Sequence, residues 1–140
     1  MESDLVRLVS VMDHTPGQRQ FADLDKYREY YGGKYGFNAA ELDQFLADAR
    51  AAQERNSAPN RQAIVTMCNE HDIIVASHDD ATPAHVDEAV ADGVSVAEFP
   101  TTVEAADACA AHGLHVLMGA PNLLRGRSHS GNVSARELAA

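Results

Sequence analysis

Short apolar stretches alternate with longer amphipathic ones along this chain. Five hydrophobic stretches read as strands, and four of them run directly into polar or glycine-rich residues. Leu8–Met12 leads to Asp13-His14, and Ile73–Ala76 leads to Ser77-His78-Asp79-Asp80. Val94–Ala97 leads to Glu98, and Val116–Met118 to Gly119–Asn122. Between the first two strands the pattern turns helical. Residues 21–31 suit a surface helix with aromatic anchors, interrupted by Gly32, Gly33 and Gly36. Ala39–Arg55 places Leu42, Phe45, Leu46 and Ala49 at three- and four-residue spacings. Asn56–Asn60, with Ser57 and Pro59, reads as a loop. Gln62–Glu70 reads as a third helix with Ile64, Val65 and Cys68 on one side. Residues 15–71 thus form a mostly helical insertion or crossover.

After residue 72 the pattern is regular. Thr82 is a helix cap with Pro83 at the first helical position, where a missing N–H costs nothing. Val86, Ala89 and Val90 form the apolar face, and Gly93 suits the left-handed residue that ends the helix. Thr101 reads as the cap of the next helix, with Glu104 at the capping-box position, and Gly113 closes it. Strand and helix alternate at intervals of about 20 residues, the sign of right-handed crossovers between parallel strands. The fold class is therefore α/β. A closed eight-stranded barrel needs about 250 residues, and this chain has 140. A partial (β/α)8 barrel with a helical insertion is the expected architecture.

Charge narrows the partners. Asp and Glu number 21 against 11 Lys and Arg, a formal charge of -10. Such a balance opposes nonspecific binding to nucleic acid or to an anionic membrane. Cys68 and Cys109 are far apart and have no ligand-like spacing, which fits core thiols in a reducing cytosol. The charged opening MESDLVRL does not read as a signal peptide. No stretch reaches the roughly 20 apolar residues of a membrane span.

Parallel strands send their C-terminal ends to one rim, where polar residues distant in sequence converge. His14 and His78 occupy such ends, and neutral imidazole is a good ligand for zinc and similar ions. The alternative is that each caps a loop or helix. Asp79 and Asp80 are placed to orient a histidine, bind metal or move a proton. Glu98 is either an acid or positioning residue, or an acceptor for helix-terminal N–H groups. Asn122 lies in a shaped turn, Gly119–Asn122, and is a candidate ligand contact. The segment from Arg125 through Arg127, Ser128, His129, Ser130 and Asn132 offers guanidiniums, hydroxyls and flexible backbone to an anion; otherwise it is a solvated loop. His71, His85, His112 and His115 read as surface or capping residues. The tyrosines at 27, 30, 31 and 35 read as packing residues, with Arg19 and Lys34 near a substrate rim.

Four motifs occur in order: MDHTPGQRQ from Met12, ASHDD from Ala76, AEFPTT from Ala97, and MGAPN from Met118 through to SHSGN at Ser128–Asn132. Together they resemble the amidohydrolase-superfamily hydrolases of the carbon–phosphorus lyase pathway for phosphonate use, over nearly the whole chain. That resemblance implies a metal-dependent (β/α)8 barrel and a diphosphatase acting on α-D-ribose 1-methylphosphonate 5-triphosphate. Pyrophosphate would leave and the 5-phosphate remain.

The same resemblance implies that His14 follows barrel strand five and His78 strand six, both as ligands of a divalent metal, zinc or manganese. Asp79, Asp80 and Glu98 become candidate catalytic groups. Gln18, Arg19, Asn122, Arg125, Ser128, His129, Ser130 and Asn132 become candidate contacts to a phosphorylated small molecule. Arg127 stands where the family commonly has Gly.

The family's His-x-His pair on strand one, its bridging ligand near strand four and its Asp on strand eight have no counterpart here. The chain thus reads as approximately strands five to seven and the following segment, with activity belonging to the complete protein. Two other readings are open. One is a noncatalytic barrel fragment that binds a partner, either a second copy or a complementary barrel half. The other is an amidohydrolase of different specificity, such as a cyclic amide deaminase.

Overall fold

The computed structural model describes residues 5–19, 23–126 and 132–139. Four strands, β1 (Leu8–Val11), β2 (Ile74–His78), β3 (Val96–Glu98) and β4 (His115–Leu117), form one parallel sheet in the order β1-β2-β3-β4. No fifth strand lies among the described residues. Two crossovers are single helices, α3 (Pro83–Ala91) and α4 (Val103–Ala111). The first crossover is larger, with α1 (Leu24–Tyr35) and α2 (Ala39–Glu70). Two short helices follow β4, α5 (Ala120–Arg125) and α6 (Ala135–Leu138). The α/β class and parallel pairing agree with the strand–helix alternation.

Side chains alternate between the faces of a strand, and among the described residues helices pack one face. There Val65 and Cys68 of α2 meet Ile73, Val75, Ala89 and Val94. Val86, Ala97, Ala105 and Cys109 continue the core toward β4. Both cysteines are buried and free. Burial, then the nearby Asp80 charge, pushes the Cys109 thiol up to about 11. A separate cluster of Tyr27, Leu42 and Leu46 joins α1 to α2. The other face carries Leu8, Ile74 and Leu117, each roughly half exposed.

Several local signals act as expected. Thr82 caps α3 through the His85 N–H, Pro83 opens it, and Gly93 and Gly113 adopt φ of 77° and 73°. Others are corrected. Gly32 and Gly33 lie inside α1, which ends at Gly36 with φ 69°. A Cβ on Gly32 would lie 3.6 Å from Leu42 Cδ2, so the small residue suits the close α1–α2 approach. Thr102, not Thr101, caps α4 by accepting from the Ala105 N–H. Thr101 instead donates its backbone N–H to the Asp80 carbonyl at 2.8 Å. The Gly119–Asn122 turn is the start of α5.

The largest departure is α2. The expected loop at 56–60 is helical, and α2 continues for 32 residues with Pro59 inside it. An interior proline costs about 3 kcal/mol or more, because it removes a backbone N–H and crowds the preceding turn. Tertiary contacts on both sides of Pro59 oppose that cost. Ser57 Oγ and Gln53 Nε2 each donate to Asp13 Oδ2 at 3.1 Å. Arg61 Nε donates to Asp92 Oδ2. The Thr15 N–H also donates to Asp13 Oδ1, at 2.9 Å. Asp13 therefore ties the end of β1 to the middle of α2.

Replacing Asp13 by Ala should destabilise the fold by about 1–3 kcal/mol, since the partners lose a charged acceptor. Urea unfolding measures this. An unchanged midpoint would mean that Asp13 does not anchor α2.

Candidate metal and hydrolase site

The C-terminal ends of β1 and β2 bring the two predicted histidines together. Their ring centroids are 5.4 Å apart. His14 Nε2 lies 3.3 Å from Asp79 Oδ2, and His78 Nε2 lies 3.4 Å from the same oxygen. One ligand atom from each of His14, His78 and Asp79 falls within a 4.8 Å cluster.

Backbone geometry makes this convergence possible. β2 extends two residues beyond its predicted end, so His78 is its last residue rather than part of a following loop. The Asp79 N–H continues the ladder by donating to the Glu98 carbonyl at 2.9 Å. Asp79 then turns to φ 54°, a left-handed conformation that Asp tolerates better than most residues. The same device recurs one strand over. Phe99 donates its N–H to the Leu117 carbonyl and adopts φ 56°. A bulky residue there is a real outlier, and its ring stands edge-on to His78 with centroids 5.5 Å apart.

Asp79 is 4% exposed, and its Oδ2 has no hydrogen-bond partner despite the two imidazoles beside it. Burial raises its carboxyl above the ordinary value, a shift that His78 and His14 only partly offset. Glu98 differs. Burial pushes its carboxyl up, but hydrogen bonds from Ser10 and His78 outweigh that effect and leave it lowered. Ser10 Oγ donates to Glu98 Oε2 at 2.6 Å, and His78 Nδ1 lies 3.1 Å from that same oxygen.

The neighbouring aspartate goes elsewhere. Asp80 is 1% exposed and pairs with Arg19, which is itself buried. The second arm of Arg19 reaches Glu88 at 2.9 Å. Both arms of the proposed substrate contact Arg19 are therefore engaged within the chain. Arg19 also borders a cavity of about 700 Å³ between the 12–19 loop, α2 and α3, with Gln18, Asp13, Gln53 and His85. His14, His78 and Asp79 do not line it. Successive residues Asp13 and His14 thus serve separate places, as strand-like alternation would send them.

The remaining candidates lie farther along the chain. Asn122 donates to the Val133 carbonyl and accepts from the Ala135 N–H at 2.9 Å, tying α5 to the start of α6. Arg125 is the exposed last residue of α5, and Asn132 is half-buried before α6. Arg127, Ser128, His129 and Ser130 lie outside the described residues. Ser10 was absent from the predicted set. Its only signal was a polar residue in the middle of an apolar strand.

Over 139 residues, 99% of this chain, the sequence is 55% identical to alpha-D-ribose 1-methylphosphonate 5-triphosphate diphosphatase of Escherichia coli (strain K12). The chain spans 37% of that enzyme's length. No family model and no solved structure matches the chain. The resemblance carried by the four motifs is thus a resemblance to a diphosphatase, and it extends along nearly the whole chain.

The buried Arg19–Asp80 pair gives a test of internal structure. Arg19→Ala would leave Asp80 charged and enclosed, which typically costs about 3–5 kcal/mol. Thermal or urea unfolding should show that loss. A variant as stable as the wild type would place Arg19 outside the folded core.

Proposed function

We propose that this chain supplies the His14–His78 side of a metal-dependent diphosphatase. The reaction would convert α-D-ribose 1-methylphosphonate 5-triphosphate to the 5-phosphate and pyrophosphate. The carrying observation is the convergence of His14, His78 and Asp79 in a chain so similar to such an enzyme. The chain is read as approximately strands five to seven and the following segment of a (β/α)8 barrel, with β1 at about strand five.

The donor set fits a divalent cation. Three lone-pair atoms face one another, and Oδ2 of Asp79 is buried without a hydrogen bond. A positive ion relieves that arrangement, and two imidazoles with a carboxylate suit zinc or manganese. When bound, such an ion supplies a Lewis acid for a phosphoryl oxygen and lowers the pKa of water beside it. His14 and His78 would hold it through Nε2. Asp79 is placed either to share in that task or to hold a proton at Oδ2, its raised carboxyl favouring the protonated form. Asp80 would act indirectly, by holding Arg19.

Arg125, Asn132 and residues 127–131 supply the charge and hydroxyls that a polyphosphate needs in a chain of net charge -10. The half-exposed Leu8, Ile74 and Leu117 support a second element of the reading. The open sheet face would be covered by complementary strands, from a longer protein or from a second copy.

Metal titration and a pyrophosphate assay test this function. The 140-residue chain should bind zinc or manganese. His14→Ala or His78→Ala should weaken binding by more than the roughly 10- to 100-fold typical of supporting residues. Pyrophosphate release from the chain alone should stay near background, since three donors do not make a preorganised catalytic centre. Unchanged metal affinity in the double histidine variant would refute the site. Robust release would show that the present residues suffice.

A further inference from the structure

The sheet face that carries Leu8, Ile74 and Leu117 also holds a support for His78, one member of which, Ser10, lies outside the motifs. Ser10 belongs to β1, His78 ends β2 and Glu98 ends β3. Parallel register places His78 opposite Glu98 and Ser10 opposite Ala76, two residues before His78 on the same face. Ser10 Oγ donates to Glu98 Oε2 at 2.6 Å. His78 Nδ1 is 3.1 Å from that oxygen and 3.5 Å from Ser10 Oγ.

One placement of hydrogens serves all three groups. The hydroxyl has a single proton, and the shorter contact directs it to Glu98 rather than to the imidazole. A carboxylate oxygen only accepts, so His78 must carry a proton on Nδ1 to bond with it. Neutral imidazole protonated at Nδ1 has its lone pair at Nε2. That is the nitrogen 3.4 Å from Asp79 Oδ2. The Phe99 ring stands edge-on to this imidazole, with centroids 5.5 Å apart.

We infer that Ser10 and Glu98 are positioning residues. They hold His78 in the Nδ1–H tautomer, with its Nε2 lone pair directed into the His14–Asp79 cluster. Glu98 thereby acts through His78 rather than on substrate. The metal consequence rests on the proposed cation site; the tautomer does not.

Nitrogen-15 NMR of the metal-free 140-residue chain at about pH 8, well above the ordinary histidine pKa, reads the tautomer directly. His78 should be the Nδ1–H form. Glu98→Ala should shift it toward the Nε2–H form, Ser10→Ala should shift it less, and Ser10→Thr should restore it. Zinc affinity, measured against a chromophoric chelator, should fall about 10- to 100-fold in Glu98→Ala. It should fall several-fold in Ser10→Ala. An Nε2–H form in the wild type overturns the inference and requires no variant to fold. So does an unchanged tautomer in folded Glu98→Ala. Absence of zinc binding together with the Nδ1–H form would refute the cation site and support the positioning role.

Discussion

Parallel pairing in register is the constraint on which the site depends. Antiparallel neighbours would send alternate strand ends to opposite rims. Here β1, β2 and β3 all end at one rim, so residues separated by tens of positions become neighbours. His78 stands directly across from Glu98, and Ser10 stands one same-face step back on the adjoining strand. A slip of one residue in any of these strands would turn its own member of the trio to the helical side. The helix-packed core around Val65, Cys68, Val75 and Ala89 resists that slip, because the same register buries Val75 and Ala97.

The rim is also divided by direction. Asp13 faces α2 and anchors a long helix through its proline, while His14 faces the second histidine. Asp79 turns into the cluster, while Asp80 disappears beneath it to pair with Arg19. Each adjacent pair sends one group into the packed structure and the other into the His14–His78–Asp79 cluster. This division explains why a buried ion pair can sit so near a candidate cation site without belonging to it. Arg19 neutralises Asp80 at Oδ1, and Asp79 Oδ2 is an enclosed oxygen without a hydrogen bond, as are Asp80 Oδ2 and Ser77 Oγ.

Similarity to the diphosphatase and the geometry of the cluster bear on function in different ways. The first points to a reaction class across 139 residues. The second states what these side chains can do together: present two imidazole nitrogens and a carboxylate oxygen to one cation. The uncovered sheet face, with Leu8, Ile74 and Leu117, adds a surface whose apolar character suits further packing.

By itself the sequence determined the alternation of strands and helices, the parallel class, the Thr82–Pro83 start of α3, and the glycine stops at 93 and 113. It also marked His14 and His78 as rim residues. These depend on periodicity and on capping contacts within a few positions. The tertiary structure decided what local rules cannot reach. It carried α2 through Pro59 by contacts from Asp13 and Asp92, and it moved the α4 cap to Thr102. It also separated Asp79 from Asp80 and recruited Ser10. Each outcome is set by partners far away in the chain, whose contacts outweigh or redirect the local preference.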